Sequence, residues 1–257
     1  MAQQNETGTS DGSIIDPSYS KGDYFSDAKR HSEDAGFKAA CFLKLFLPFL
    51  ESHPSPIRSL ADVGCGSGDI VRLIAASMRE NGYNSITFKG YDVSPHASMI
   101  ENEGVEYINA DFCESGEPVD VVTLFDVFEH IPDTVGFLKG VSQRCKVIGF
   151  HIPLEHSLNV ASRNLFRRKL VNPGHLVFLD IVSALNLLAV AGLRVVDYQY
   201  TFGFLAPSGH ATLLSKIVFP FRYILAKISP WLLSVTIGGA SVAVIALTPT
   251  GLHEWEG

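Results

Sequence analysis

The feature that most constrains the fold is a regular alternation, from Ser59 onward, of apolar runs of strand length with segments of helical periodicity. Such alternation is typical of βαβ units, in which parallel strands form one sheet and the connecting helices cover both of its faces. Seven strands are predicted: Leu60–Val63, Ser85–Tyr91, Val105–Asn109, Val119–Phe125, Lys146–His151, Leu193–Thr201 and Ser241–Thr248. The helices predicted between them are Asp69–Glu80, Pro95–Asn102, Asp133–Gln143 and Asp180–Ala191. The sequence therefore predicts a doubly wound α/β fold around a mostly parallel seven-stranded sheet.

Segments outside this alternation complete the predicted domain. Apolar residues at helical spacing predict an N-terminal cap helix over residues 27–50, ahead of the first strand. The apolar region 203–240 is interpreted as a helical insertion that forms a lid, touches a membrane surface or packs as ordinary core. The expected organisation is a disordered tail over 1–20 and a single domain over 21–257, with a core over 59–202 and a last strand over 241–249.

The charge distribution argues against nucleic-acid binding and against a membrane span. Only 18% of the residues are charged and the formal net charge is −7, so the surface is not built to neutralise a phosphate backbone. The stretch between Lys227 and Glu254 contains no charged residue and is long enough to cross a bilayer. Pro230 and Pro249 interrupt it, however, and its end is rich in β-branched residues, as a buried strand would be. We therefore predict no transmembrane helix, and peripheral membrane contact stays open.

The cysteines predict neither a zinc site nor a disulfide framework. Cys41, Cys65, Cys113 and Cys145 form no CxxC pair and are interpreted as buried reduced thiols. The first sixteen residues contain no Lys or Arg and no apolar run, which predicts neither a secretory signal nor a transit peptide. A cytoplasmic location is therefore expected.

A glycine-rich turn after the first strand is the most informative motif. The segment Leu60–Ile70 runs from a buried strand into Gly64, Gly66 and Gly68, and a helix follows. Glycines allow the chain to turn sharply and to bring bare backbone against a ligand, where a Cβ would collide. Dinucleotide-binding folds use GxGxxG, whereas the spacing here is GxGxG, with Asp69 where the third glycine would be expected. This spacing disfavours NAD or FAD as the ligand.

Acidic residues stand near the ends of the first three predicted strands. Asp92 ends the second strand, where a carboxylate can accept from both ribose hydroxyls of an adenosine, although it can also be read as a helix N-terminal acid. Asp111 follows the third strand and can accept from an adenine amino group, with Phe112 or Val93 as the apolar face. Asp62 precedes the first glycine and favours a ligand other than a dinucleotide.

Together with the segment Val119–Asp133, which carries a Glu-His dipeptide after the fourth strand, these motifs make the chain resemble the class I S-adenosylmethionine-dependent methyltransferases, in their small-molecule branch. The resemblance implies a Rossmann-like methyltransferase fold whose core over 59–202 binds S-adenosylmethionine and releases S-adenosylhomocysteine. It implies that the methionine end is held by Asp62 and the backbone of Gly64, Gly66 and Gly68. It further implies that Asp92 binds the ribose, that Val93, Asp111 and Phe112 bind the adenine, and that Leu124 or Phe125 lines the methionine portion. Phe125 departs from the family pattern, in which small or polar residues are commoner.

The resemblance also implies direct in-line transfer of a methyl group to oxygen or nitrogen of a small-molecule acceptor, with positioning as the main source of acceleration. A histidine is the natural base for the proton of the acceptor near neutral pH. The candidates are His130, His151, His156 and His175, each of which can instead be a hydrogen-bonded structural residue. No metal is predicted: HExxH is absent, and Asp126 and Glu129, three residues apart, are interpreted as a solvated helix start. A metal held by these two carboxylates is the alternative interpretation.

The acceptor is expected to be apolar if the 203–240 insertion covers it, or anionic if a basic cluster faces it. The basic cluster consists of Arg163, Arg167, Arg168 and Lys169. Two other functions compete with methyl transfer. One is a non-catalytic regulatory or partner subunit that keeps the S-adenosylmethionine site, and the other is a nicotinamide oxidoreductase, which the GxGxG spacing disfavours. The sequence carries no signal for an oligomeric state.

Overall fold

All seven predicted strands are present, each within three residues of its predicted bounds, in a computed structural model that describes residues 34–53, 56–101, 103–206 and 213–256. The strands are β1 (Ser59–Val63), β2 (Thr87–Asp92), β3 (Glu106–Asn109), β4 (Val121–Phe125), β5 (Val147–Leu154), β6 (Arg194–Phe202) and β7 (Ala240–Leu247). They form one sheet in the order β3-β2-β1-β4-β5-β7-β6. Strand β7 is antiparallel to both β5 and β6, and the other pairs are parallel. The predicted mostly parallel seven-stranded sheet is confirmed.

Helices connect the strands and extend the chain at both ends. They are α1 (Ala35–Ser52), α2 (Asp69–Glu80), α3 (Phe112–Ser115), α4 (Thr134–Ser142), α5 (Leu158–Ser162), α6 (Phe166–Val171), α7 (Ile181–Val190), α8 (Leu213–Ile228), α9 (Pro230–Thr236) and α10 (Pro249–Glu256). Short 3₁₀ turns cover Pro95–Met99, Phe128–His130 and Gly203–Leu205. The expected tail over 1–20 and the part of the predicted cap helix before residue 34 lie outside the described residues.

One predicted helix is wrong in type. The segment predicted as a helix over Pro95–Asn102 forms only the 3₁₀ turn Pro95–Met99, which Ser94 caps by accepting from the N–H of His96. The backbone of Ile100 is already extended, and Val105 beyond it is fully buried just before β3. The short connection to an edge strand therefore ends the helical turn early.

Apolar side chains cover the sheet on both faces, as the doubly wound fold requires. One core packs α1 and α2 on the sheet, with Phe42, Phe46 and Ile74 fully buried. The other packs α4 and α7, through residues such as Leu138 and Leu188. The low charge of the sequence is thus explained by strands buried on both faces.

The apolar stretch near the C-terminus divides into α9 and the buried strand β7, as predicted. Within the described residues, none of the helices is both long and apolar enough to span a bilayer. The four cysteines are all free thiols; Cys65 and Cys145 are buried, and Cys41 and Cys113 are half-buried.

The order of the strands indicates where on the sheet a ligand site is expected. From the central strand β1 the chain first moves outward through β2 and β3, and it then returns to add β4 on the other side of β1. In open α/β sheets ligands bind outside the carboxyl ends of the strands at such a reversal. The carboxyl ends of β1 and β4 define this point here.

Candidate functional site

A cavity of about 470 Å³ opens at the carboxyl ends of β1, β2 and β4. This volume is within the range of small-molecule and cofactor pockets. Its walls come from the turn after β1, the residues after β2 and β3, the segment after β4, helix α1 and the loop around His175. The cavity therefore lies at the topological reversal of the sheet.

The glycine turn forms the floor of this cavity beside β1. Gly64 and Gly68 both adopt positive φ angles, of 76° and 77°, which residues other than glycine rarely adopt. A Cβ on Gly64 would lie 2.7 Å from Val127, and one on Gly68 would lie 2.5 Å from the ring of Tyr107. Gly64 and Gly66 line the cavity directly, whereas Gly68 begins α2 beneath it. Glycine is needed here for both backbone conformation and close packing.

Asp92 stands at the end of β2 and lines the same cavity. One carboxylate oxygen accepts from the N–H of Gly66 at 2.9 Å, and the other accepts from the N–H of Ser94 at 2.8 Å. These two bonds fix the carboxylate plane against the glycine turn. Each oxygen has a second lone pair, so the group retains the capacity to accept from two hydroxyls.

The residues predicted to hold an adenine also lie at the cavity. Asp111, Phe112 and Val93 line it, and Val93 is 60% exposed at its mouth. Asp111 accepts from the N–H of Cys113 at 2.7 Å, so one of its oxygens caps the short helix α3. The arrangement brings an acidic and an apolar wall together next to Asp92.

The structure places Asp62 and Leu124 behind the cavity wall rather than in it. Leu124 is fully buried in the core between the sheet and α4, so only Phe125 of the predicted pair lines the cavity. Asp62 is 2% exposed and accepts from the hydroxyl of Thr123 at 2.7 Å. Burial, and to a lesser extent the charge of Asp92, raises the pKa of Asp62 to about 7.

An ion pair that the sequence interpretation missed lies on the opposite side of the cavity. Lys38 of α1 reaches Asp126, the residue after β4, with 2.5 Å between Nζ and Oδ2. Burial alone would raise the pKa of Asp126, but the charges of Lys38 and His151 outweigh it and hold that pKa well below its usual range. Asp126 has a φ of 55°, a left-handed conformation that Asp tolerates better than most residues and that clusters at functional sites.

Sequence comparison identifies the family to which this chain belongs. A profile of the family described as "methyltransferase domain" matches residues 34–198, which is more than half of the 257 residues. The chain belongs to this family. It is an S-adenosylmethionine-dependent methyltransferase, as the motif order predicted, and S-adenosylmethionine is its cofactor. No curated protein matches the sequence.

Solved methyltransferase structures share the fold at low sequence identity. Magnesium protoporphyrin IX methyltransferase from Synechocystis PCC 6803, solved with bound S-adenosylhomocysteine, superposes with a TM-score of 0.53 at 12% identity, over 91% of this chain and 97% of that one. The plantazolicin methyltransferase BpumL, also with S-adenosylhomocysteine, gives 0.55 at 15% identity over 90% and 94%. Mitomycin 7-O-methyltransferase MmcR gives 0.54 at 16% identity over 87% and 59%. These likenesses establish the Rossmann-like methyltransferase fold.

Two of the four predicted catalytic histidines of the methyltransferase lie at the cavity. His130 and His175 line it, and their rings stand 4.7 Å apart at an angle of 74°. His151 is 5% exposed, and its two ring nitrogens lie 2.7 Å from Asp126 Oδ1 and 3.0 Å from Thr201 Oγ1. Its place is therefore behind Asp126, as a positioning partner. The imidazole of His156 is 58% exposed beside Asp180 and does not line the cavity.

The interpretation of Glu129 as part of a solvated helix start is wrong. Glu129 is 1% exposed in the 3₁₀ turn Phe128–His130, because the loop before α7 folds over it. The N–H groups of Leu176 and Val177 both donate to the Glu129 carbonyl, at 2.8 and 3.3 Å. Burial, followed by the charge of Asp126, raises the pKa of the Glu129 carboxyl well above its usual range.

Proposed function

We propose that this methyltransferase transfers a methyl group from S-adenosylmethionine to oxygen or nitrogen of a small-molecule acceptor. One observation carries the proposal: a single cavity contains both the predicted cofactor end, at Gly66 and Asp92, and a reactive end, at His130 and His175. Cofactor and acceptor can therefore meet within one cavity of the chain. A pocket of about 470 Å³ suits a small molecule rather than a macromolecular surface.

The sulfonium of the cofactor is electrophilic, so the chain needs to supply position and a dry environment rather than a nucleophile. In the proposed step the electron pair of the acceptor heteroatom forms a bond to the methyl carbon. The bond between carbon and sulfur breaks in line with the attack, and its electron pair stays on sulfur as the neutral thioether of S-adenosylhomocysteine. The proton of the acceptor must leave before or during this displacement.

We assign assistance in that proton removal to the two cavity histidines. The pKa of His130 is lowered to about 4 by burial and by its neighbour His175, so its imidazole is neutral at physiological pH. A neutral imidazole can accept a proton or hold another proton-removing group in place. His151 and His156, which do not line the cavity, are assigned no direct contact with the acceptor.

The walls of the reactive end favour an acceptor with an apolar body. Phe125, Val127, Ile131 and Phe137 all line the cavity there. The basic cluster predicted to favour an anionic acceptor is partly neutralised, since Lys169 pairs with Glu155 at 2.6 Å. None of the described residues of α8 and α9 lines the cavity, so the described part of the 203–240 insertion gives no support to a lid over the acceptor.

The insertion supports a different part of the proposal, which is peripheral contact with an anionic lipid surface. Ile217, Phe221, Ile224 and Ile228 follow the i, i+4, i+7, i+11 pattern of one face of α8, and each is more than half exposed. Lys216 and Lys227 both lie along one edge of this face. An apolar helical face with lysines at its border is typical of interfacial helices.

We retain the prediction of a cytoplasmic enzyme of small-molecule biosynthesis, consistent with the free thiols.

Calorimetric titration with S-adenosylhomocysteine tests the proposed cofactor site. We expect binding to the wild type and a loss of about 100-fold or more in Asp92→Ala, because each hydrogen bond to a charged group contributes about 1.5–3 kcal/mol. Asp197→Ala, which removes an exposed carboxylate on β6, is the matched control and should bind as the wild type does. Equal affinity of the Asp92 and Asp197 variants would refute the assignment of Asp92.

The competing function, a non-catalytic partner subunit, makes a separate prediction. Such a protein would bind S-adenosylhomocysteine but transfer no label from radiolabelled S-adenosylmethionine to any fraction of a metabolite extract. The proposed enzyme should label a discrete small molecule, and identification of that product defines the acceptor. The cavity histidines favour the enzyme.

A further inference from the structure

Glu129 has a buried carboxyl group directly behind the cavity wall, next to His130, which lines the cavity. Both of its oxygens are buried, and among the described residues neither accepts a hydrogen bond from another side chain or backbone group. A buried polar group without a partner costs about 1–3 kcal/mol, and more when it is charged. The chain therefore keeps a buried carboxyl group that no other described residue pairs with, which is the feature expected where a cation from outside the chain binds.

Two imidazoles face this carboxylate. Donor atoms of Glu129, His130 and His175 all lie within 4.8 Å of one another, and we refer to these three residues as the EHH cluster. One carboxylate and two imidazoles are a ligand set of mononuclear metal sites. Bonds of about 2.1 Å to one ion place its ligand atoms at most about 4.2 Å apart, so atoms within 4.8 Å of one another need to close in by only a few tenths of an ångström to share an ion. Because His130 and His175 line the cavity, the open side of the EHH cluster faces the space assigned to the acceptor.

Outer contacts orient both rings in the manner of metal ligands. His175 Nδ1 lies 2.7 Å from Glu155 Oε2, and His130 Nδ1 lies 3.1 Å from the Gly174 carbonyl oxygen. A carbonyl or a carboxylate can only accept, so Nδ1 of each ring carries the proton and Nε2 carries the lone pair. A histidine whose second nitrogen donates to a carboxylate or carbonyl is the usual arrangement behind a bound metal.

An ion pair also holds the outer carboxylate in place. Glu155 Oε1 lies 2.6 Å from Lys169 Nζ, while Oε2 of the same group lies 2.7 Å from His175 Nδ1. The Glu155 carboxylate is therefore anchored at both oxygens, which fixes the orientation of the His175 ring.

We propose that Glu129, His130 and His175 bind a divalent transition-metal ion that holds an acceptor with two adjacent oxygen atoms. Imidazole ligands favour transition ions over Mg²⁺ or Ca²⁺, and three protein ligands leave coordination positions for the two oxygens. The part that concerns the acceptor rests on the proposed methyl transfer. Bound to such an ion, a hydroxyl loses its proton to solvent more readily, so the histidines assist deprotonation through the ion.

Metal binding by the full chain, stripped with a chelator, provides the first test. Titration with Co²⁺, followed by visible absorption and calorimetry, should show one site in the wild type that Zn²⁺ displaces. Glu129→Gln, which keeps the shape of the side chain, should lose binding by more than about 100-fold, and Glu155→Gln should weaken it by about 10–100-fold. His156→Ala, which removes an exposed imidazole outside the EHH cluster, should bind Co²⁺ as the wild type does.

Circular dichroism and thermal unfolding of each variant show whether a loss of binding reflects a loss of fold. If Glu129→Gln is not folded, the folded Glu155→Gln variant decides. Equal Co²⁺ affinity of the wild type and either folded glutamine variant would overturn the site. Binding of Mg²⁺ but not Co²⁺ would also overturn the proposal, because a site with two imidazole ligands should prefer the transition-metal ion.

Two further titrations separate this proposal from the proposed function. The chromophore 4-nitrocatechol has two adjacent oxygens and should bind the Co²⁺-loaded protein, whereas 4-nitrophenol, with one, should not. Equal binding of both, or binding of 4-nitrocatechol without Co²⁺, would overturn the assignment of the acceptor. If the protein binds S-adenosylhomocysteine but not Co²⁺, only the proposed metal site is refuted. If it binds Co²⁺ but not S-adenosylhomocysteine, the proposed methyl transfer is refuted and the metal site stands.

Discussion

Asp62 provides the sharpest test of the electrostatics at the cofactor end of the cavity. Its carboxyl is 2% exposed and has a pKa of about 7, against 3.8 for an ordinary Asp, and burial is the main cause. One unit of pKa difference corresponds to about 1.4 kcal/mol, so ionised Asp62 lowers the stability of the unliganded fold by about 4 kcal/mol. Asp62→Asn removes this charge and retains an oxygen that can accept from Thr123.

The sign of the effect follows from proton binding. A raised carboxyl pKa means that the folded state binds the proton more tightly than the unfolded state, so the stability of the wild type falls as pH rises from about 4 to about 7. The neutral variant has no such loss. We therefore expect Asp62→Asn to equal the wild type near pH 4 and to exceed it by up to about 4 kcal/mol at pH 8.

Urea unfolding at pH 4, 6 and 8 measures this difference, and Asp120→Asn is a control of opposite sign. Burial alone would raise the pKa of Asp120, but hydrogen bonds from the Arg58 N–H and Lys146 outweigh it and lower that pKa. Asp120→Asn should therefore destabilise the fold above about pH 4, and the loss should shrink as pH falls. A stability difference between Asp62→Asn and the wild type that does not change with pH would refute the reasoning.

Two further perturbations test other parts of the site. Lys38→Met should destabilise the fold by about 1–3 kcal/mol at pH 7 in urea unfolding, since the pair with Asp126 is about one fifth exposed. Adding Asp126→Asn should restore much of that loss, and a simply additive double variant would contradict a direct pairing. Phe221→Ser should reduce sedimentation with vesicles that contain phosphatidylserine, whereas Val190→Ser, on the exposed side of α7, should not. Equal sedimentation of both would exclude the α8 face as the lipid contact.

The sheet and its glycine turn could be predicted because their signals are local. The apolar segment Ser241–Leu247 has strand length and β-branched composition, and it forms the buried strand β7. Gly64 and Gly68 follow the apolar strand β1 and precede α2, at positions with positive φ and no room for a Cβ. In each case the residues that make the pattern recognisable lie within a few positions of one another, even though Val127 and Tyr107, which pack against the two glycines, are distant in sequence.

The reactive end could not be predicted in the same way because its partners are distant in sequence. Glu129 stands shortly after a strand, as many solvated acidic residues do. It is buried because a loop distant in sequence, which contains Leu176, packs over it. Lys38 did leave a signal, because it occupies the apolar face of α1 between the buried Ala35 and Phe42. A lysine on a buried helical face predicts a buried partner, but the sequence does not identify Asp126 as that partner.

Helix α1 therefore does more than cover the sheet. Lys38 holds Asp126 ionised from one side and His151 holds it from the other, which fixes the backbone where the chain leaves β4 in a left-handed conformation. The next residues along the chain place His130 in the cavity wall and Glu129 behind it. A change in α1 that displaces Lys38 would release Asp126 and, with it, the geometry of the reactive end. We therefore expect a displacement of the helix before the first strand to alter the proposed acceptor position first, and to reach the glycine turn only through Val127, which packs against Gly64.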